Sequence, residues 1–373
     1  MKRSPASRAS LLGVFVLYLF FVAACSPTSN PTVPAEAANS PQLPAQSPIP
    51  LAPTGPRQFL FSALHEDRTT IALADTDGNI LKWYTNSSSG DTCPAFSPDG
   101  LQVAFCSDQA GKQQLFLMDG NGSNRRLLTD QIGTCGCSPD APLAWSPDGK
   151  WIALPVSSLE QSAPVYNIFV VRVGDGKGTQ LTTDQQRYGG LVWNPDSKSV
   201  LLTGTIGGQG DIYRINISDK KALPLTGTPI TGAAYSWSPD GKKLLYFADS
   251  GGGNFDIFLL QNGSDQPVRL TEANGFDSYP RWFPDGQNIL FVSTRDGDQE
   301  IYRMNADGSE QTNLTNNPGV LDIWPSLSPD GQYVIYLTSS NNQWDSWIMK
   351  ADGSGKRKLT DIIGIPSRIA WKP

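Results

Sequence analysis

A five-residue marker recurs along this chain, and no other feature restricts its fold as strongly. It reads FSPDG at 96–100, WSPDG at 145–149, WNPDS at 193–197, WSPDG at 237–241, WFPDG at 282–286 and LSPDG at 327–331, and returns shortened as WKP at 371–373. Its prolines stand at 98, 147, 195, 239, 284, 329 and 373, so the six intervals run from 44 to 49 residues. Self-similarity at such a period marks a repeat architecture and overrides any element-by-element reading. The marker itself is a turn. Proline presets φ at the first corner, aspartate can bond its own backbone, and glycine accepts positive φ.

The same parts return between markers. An apolar run follows each one, as in Val103–Phe105, Leu244–Phe247, Ile289–Val292 and Val334–Leu337. A polar, Gly-rich loop leads to a second run, as in Leu115–Met118, Ile168–Val171, Ile257–Leu260 and Ile301–Met304. A turn such as Asp307-Gly308-Ser309 then precedes a Leu-Thr pair, found at 128–129, 181–182, 225–226, 270–271, 314–315 and 359–360. Each unit therefore holds four strands of about four to six residues. Strict alternation would leave one face wet, whereas these near-continuous apolar strands need cover on both faces. Four-stranded sheets, each covered by its neighbours, describe a β-propeller. With 36 Gly and 29 Pro the chain is too rich in helix breakers for a helical bundle.

The two ends set the number of blades. Phe59–Phe61, Thr70–Leu73 and Ile80–Thr85 match strands two, three and four of a unit, and Ile369–Trp371 matches strand one. The expectation is an all-β, seven-bladed β-propeller over 57–373, built of four-stranded antiparallel blades. Its ring is closed by the N-terminal strands plus the C-terminal strand, which leaves no free sheet edge.

The WSPDG turn, the STRDGDQEIY stretch at 293–302 and the NADGS turn at 305–309 resemble the WD-like propeller repeats of TolB-type proteins. The resemblance covers 57–373 and implies this fold, with protein binding through a propeller face in the periplasm or at the surface. It implies no site residue, because the matching positions are turns and core. TolB itself has six blades and a preceding α/β domain, where this chain reads as seven blades preceded by a tether.

Residues 1–24 read as a signal peptide. Lys2, Arg3 and Arg8 precede an apolar run, Leu11–Ala24, that is too short to span a bilayer comfortably. Val22-Ala23-Ala24-Cys25 resembles the lipobox of bacterial lipoproteins, which implies that Cys25 is acylated and becomes the N-terminus. Residues 25–56 are expected to form a tether, since 26–56 hold nine prolines, no Lys or Arg and one acid, Glu36. Extended as polyproline II it would reach roughly 95 Å. The expected protein is exported and monomeric, held at a membrane by its lipid on the periplasmic or cell-surface side. Removing the leader's three cations takes 29 basic residues to 26 against 35 acids, so −6 becomes −9. With no basic stripe, nucleic acid is excluded as a partner.

Catalytic signals are absent. His65 is the only histidine, and no Gly-x-Ser-x-Gly occurs, so neither a histidine-based metal site nor a triad is supported. Asp75-Thr76-Asp77-Gly78-Asn79 hints at a calcium loop but lacks the distal Glu. No catalytic residue, metal or cofactor is expected. Cys93, Cys106, Cys135 and Cys137 should oxidise in an exported protein. Three pairings are open. Cys93–Cys106 suits adjacent antiparallel strands but leaves a tight Cys135–Cys137 bridge, and a four-thiolate zinc site is the rival. All four fall on the face where the first strands begin. That face also collects Arg187, Tyr188, Asp277, Tyr279, Asp322 and Trp324, with Arg295 and Trp344 from the loops between strands two and three. Aromatics with Asp and Arg around a central mouth make it the candidate binding face. The leading expectation is a non-enzymatic, membrane-anchored propeller that binds a protein or glycan of the cell envelope. The alternative is a propeller enzyme acting on polysaccharide or peptide. Oligogalacturonate lyases share this repeat type but hold a metal partly through histidines, which this chain lacks.

Overall fold

The computed structural model describes residues 56–373 apart from 87, 137–141, 158–165, 184–187, 207–208, 227–235, 265, 341–342 and 360–368. The expected leader, Cys25 and nearly all of the tether lie outside the described residues, as do Arg187 and Cys137. Among the described residues there is no helix.

Seven antiparallel sheets form the seven blades of a propeller. Blade I joins Ala370–Trp371 to Gln58–His65, Arg68–Asp75 and Ile80–Trp83. Blade II is Asp91–Phe96, Gln102–Ser107, Gln114–Asp119 and Arg126–Thr129. Blade III is Trp151–Ser157, Tyr166–Arg172 and Gly178–Gln180, preceded by a first strand in two pieces, Thr134–Cys135 and Ala144–Trp145. Blade IV is Gly189–Trp193, Ser199–Ile206, Gln209–Asn216 and Ala222–Pro224. Blade V is Ser236–Trp237, Lys243–Gly251, Asn254–Gln261 and Val268–Arg269. Blade VI is Ser278–Trp282, Asn288–Ser293, Glu300–Asn305 and Thr312–Asn313. Blade VII is Leu321–Leu327, Tyr333–Ser340, Gln343–Lys350 and Arg357–Lys358.

The core is divided among the seams between blades. Leu60 and Ile71 of blade I meet Val103 and Phe105 of blade II. Leu245 and Ile257 of blade V meet Phe291 and Tyr302 of blade VI, and Leu290 and Ile301 of blade VI meet Val334 and Tyr336 of blade VII. Phe59 and Phe61 of blade I meet Ile335 and Ile348 of blade VII, which closes the ring. This is the two-sided cover that the continuous apolar runs require. Fully burying one such side chain stabilises by about 1.5–3 kcal/mol.

The repeat residues explain how the seams are registered. In three repeats the marker tryptophan donates its indole N–H to the preceding blade: Trp145 to Ala95 O (3.0 Å), Trp193 to Ala144 O (2.8 Å) and Trp371 to Ser326 Oγ (3.0 Å), whereas the buried indole N–H groups of Trp237 and Trp282 find no partner. Within the marker, Ser97 Oγ donates to Asp99 Oδ1 (2.6 Å), which also accepts from Leu101 N (3.0 Å), while Gly100 turns the chain at φ 70°. Those two bonds, the Ser97 hydroxyl first, hold the Asp99 carboxyl below its ordinary range. The turn after strand three rests on the previous blade. At Gly78 (φ 91°) a Cβ would stand 2.1 Å from Leu359 O, the carbonyl of a Leu-Thr pair, so only glycine fits. Closure is tied by Phe59 opposite Trp371, by Lys372 N to Gln58 O (2.9 Å), and by a nearly buried Arg57–Asp330 pair at 2.6 Å.

Candidate binding face

The face where the first strands begin, here the mouth face, is shaped by one irregularity used four times. The first strand of blades II, IV, VI and VII carries a β-bulge, between Thr92 and Ala95, Gly189 and Val192, Ser278 and Arg281, and Ile323 and Ser326. In each bulge the residue five before the marker proline has positive φ: Cys93 (59°), Gly190 (62°), Tyr279 (52°) and Trp324 (52°). For Cys, Tyr and Trp this conformation costs about 1–2 kcal/mol. Such strain persists where the surroundings over-determine it, and it clusters at functional positions.

Two residues earlier in three of these strands stands an aspartate: Asp91, Asp277 and Asp322, each at most 1 % exposed. Asp91 accepts from Arg125 Nη2 (2.7 Å) and Nη1 (3.2 Å), and from Ser89 Oγ (3.1 Å). Asp277 accepts from Arg295 Nη2 (2.9 Å), whose Nη1 reaches Gln311 Oε1 (2.6 Å). Asp322 differs. Its Oδ1 accepts from Thr338 Oγ1 (2.7 Å), and its Oδ2 has no hydrogen-bond partner. Burial, reinforced by the nearby Glu300 carboxylate, pushes the Asp322 carboxyl up to about 6.

A second acidic layer opens the third strands. Asp211, Asp256 and Glu300 are buried and each accepts from the threonine fifteen residues on, Thr226 (2.6 Å), Thr271 (3.2 Å) and Thr315. Thr271 and Thr315 also accept from the backbone of strand three, at Ile257 N (3.0 Å) and Ile301 N (2.9 Å). The Leu-Thr pair is thus a tie between strands three and four.

The predicted face residues fall into three groups. Tyr188 is core: it is 7 % exposed in the seam between blades III and IV, and a Cβ at Gly204 would lie 2.5 Å from its ring. Asp277 and Arg295 are brought together, as a buried internal ion pair. Tyr279, Trp324 and Trp344 are half-buried on the mouth face; Tyr279 packs on Phe247 (6.0 Å), and Trp324 stacks on Trp344 (6.4 Å, 10°). Sequence reasoning missed Arg125 and Glu300. Their signals were present: Asp-x-x-Pro occurs at 91–94, 277–280 and 322–325, and an acid-Ile pair precedes threonine by fifteen residues in three repeats.

The cysteines decide among the open pairings. Cys106 is bonded to Cys135, with Cα atoms 5.8 Å apart, and not to Cys93. The register places Thr92 opposite Cys106, while Cys93 sits in the bulge. Cys106 instead faces the next blade, in the seam that Cys135 also lines. The disulfide therefore staples blade II to blade III, and these two sulfurs are spent as thiolate ligands. Cys93 is disulfide-bonded as well. His65 stacks on Trp83 (4.2 Å). Asp75, which opens the segment that hints at a calcium loop, is occupied by its own turn, accepting from Asp77 N (3.0 Å) and Asn79 N (2.9 Å). Among the described residues no group of three or more His, Cys, Asp or Glu is placed to hold a metal.

Residues 129–252 and 226–367 match the TolB beta propeller domain, which is well over half of the chain. The chain belongs to this family. An uncharacterized peptidase of Bacillus subtilis, YuxL, is 27% identical over 226 residues, 56% of this chain and 31% of its own length. The TolB-type propeller here thus spans about a third of that relative. The structure of TolB from Acinetobacter baumannii superposes with a TM-score of 0.52 at 22% identity, covering 85% of this chain and 67% of TolB. An oligogalacturonate lyase of Vibrio parahaemolyticus superposes with a TM-score of 0.61 at 12% identity, covering 78% of this chain and 86% of the lyase. For the two solved structures, at these identities, the likeness is one of fold alone.

Proposed function

We propose that this protein is a lipid-anchored binding module of the cell envelope, which engages a protein partner through the mouth face of its propeller and catalyses no reaction. The observation that carries this reading is the pair of aromatic residues held at positive φ on that face, Tyr279 and Trp324, with Trp344 stacked on the latter. Rigid, half-buried aromatics lose little entropy on binding and are favoured as interface anchors. Acylation of Cys25 and the Pro-rich segment to residue 56 would fix the domain to a membrane and let it search at a distance from the surface. Family membership and the TolB fold are consistent with partner binding.

The test is crosslinking in intact envelopes followed by recovery of the protein. Wild type should capture a defined protein, and Tyr279→Ala with Trp324→Ala should lose it while keeping the melting temperature within a few degrees. Capture of glycan only, or a partner retained by both variants, would remove the mouth face from the reading. Turnover of a pectic or peptide substrate by the purified protein would replace it with the enzymatic one. Metabolic labelling with a fatty acid, abolished by Cys25→Ser, checks the anchor.

A further inference from the structure

The seams on either side of blade VI start from the same plan and end differently. In blades II and VI the plan is complete. The buried aspartate is met by an arginine, and the guanidinium lies over two rings: Arg125 over Phe105 (5.0 Å) and Phe116 (5.4 Å), Arg295 over Phe291 (5.5 Å) and Tyr302 (4.8 Å). The rings stand seven and eighteen residues after the marker proline in both blades. Blade VII repeats every part but one. Asp322 stands seven residues before Pro329, and Tyr336 and Trp347 stand seven and eighteen after it. The arginine is missing: Ser340 occupies the position of Arg295, and the exposed Lys356 that of Arg125.

The consequence is an uncompensated carboxylate. Asp322 is 1 % exposed, makes no ion pair among the described residues, and leaves Oδ2 unbonded. Glu300, 2 % exposed, adds a second acid to the same seam, bonded only to Thr315 Oγ1 and to Asn317 N (2.7 Å). Burying an ionised carboxylate without a partner is costly, and a planar donor that bonds and stacks at once relieves it best.

We propose that the seam between blades VI and VII is a seat for a guanidinium from outside the chain, an arginine side chain of the partner that docks on the mouth face. The choice of arginine rests on the chain itself, which fills the same seat with arginine twice. A lysine would bond the carboxylate but could not lie flat between two rings, and two acids are too few for a metal. The approach is over the segment 316–320. Its residues 316–319 are exposed, and its backbone donates to two carboxylates, Asn317 N to Glu300 and Gly319 N to Asp298 Oδ2 (2.7 Å). Its Asn317 flanks the Asp322 carboxylate. The proposal relies on the binding-module reading only for the source of the arginine.

The probe is Nα-acetyl-arginine amide, with Nα-acetyl-lysine amide as control, titrated into the purified protein and followed by tryptophan fluorescence. Wild type should show saturable binding on the order of millimolar, as expected of one anchored side chain, and about tenfold weaker binding of the lysine amide. Asp322→Asn should weaken the arginine amide about tenfold or more. Ser340→Arg supplies blade VII with the residue that blade VI has. It should abolish probe binding and raise the melting temperature, which separates occupation of the seat from misfolding. No saturable binding by wild type, equal affinity for both amides, or binding unchanged by Asp322→Asn overturns the proposal. If Tyr279→Ala and Trp324→Ala lose the envelope partner while the arginine amide fails to bind wild type, the seat alone is wrong and the binding reading stands.

Discussion

Blades VI and VII differ by one cation. Both place an aspartate at the mouth of the first strand, both bulge two residues later, and both set two aromatic rings at the same positions of the second and third strands. In blade VI, Arg295 joins Asp277 at 2.9 Å, with side chains only 17% and 1% exposed. In blade VII no cation meets Asp322, only neutral polar side chains, Thr338 foremost. The difference shows that the carboxylate and the rings are not a fixed unit of this fold. One blade uses them to hold itself together, and its neighbour carries them at a net cost. A repeat protein exposes such contrasts because each blade is a control for the next.

The largest effect should come from making blade VI resemble blade VII. Arg295→Ala leaves Asp277 buried and unpaired, and should destabilise by about 3–5 kcal/mol in chemical denaturation at neutral pH. A loss under 1 kcal/mol would mean that the pair is solvated and the contrast is false. The next effect has the opposite sign. Asp322→Asn removes a charge that the fold does not satisfy, so it should stabilise. A carboxyl raised from 3.8 to about 6 sets a ceiling of about 3 kcal/mol. The pH dependence follows from that raised value. Above about pH 6 native and unfolded chains are both ionised at this position, and the native state bears the full penalty. Between about 6 and 3.8 the native state binds the extra proton, so wild type gains stability as pH falls. The advantage of Asp322→Asn should therefore be full at pH 8 and gone near pH 4. A constant advantage across this range would assign it to packing.

The blades were legible in the sequence because their period is written in residues that can do little else. Pro-Asp-Gly makes a turn wherever it stands, and the runs at 244–247 and 289–292 need cover on both faces. The seventh blade followed from matching the strands at 59–85 to the lone strand at 369–371. The mouth face was legible only by position. Arg295 and Asp277 were named as surface residues, yet they consume each other, because ion pairing depends on side-chain direction across eighteen residues and the repeat pattern does not encode it. Tyr188 looked like a rim aromatic and is seam filling, because Gly204 opposite it leaves room for its ring. The disulfide pairing stayed open for a related reason. A one-residue bulge puts Thr92 where a regular ladder would put Cys93, and the bulge is invisible until the strand is built.

A smaller predicted effect probes the closest hydrogen bond to the Asp322 carboxylate. Thr338 is 7 % exposed and donates to Oδ1 at 2.7 Å. Thr338→Val keeps the shape and β-branching but removes the closest donor from an ionised carboxylate. A hydrogen bond to a charged group contributes about 1.5–3 kcal/mol, and one between neutral groups about 0.5–1.5 kcal/mol. The variant should therefore lose about 1.5 kcal/mol at pH 8 and roughly half of that at pH 4, where the carboxyl is protonated. Blade VI supplies the control. Ser293 stands where Thr338 does, and its Oγ accepts from Arg295 Nε at 2.8 Å without bonding the aspartate. Ser293→Ala should cost under about 1 kcal/mol and show no such pH dependence, since Arg295 still holds Asp277. If Thr338→Val and Ser293→Ala respond alike to pH, the hydroxyl is not what keeps the Asp322 charge tolerable. That role would then fall to Asn317 and Thr315, the other polar side chains beside that carboxylate.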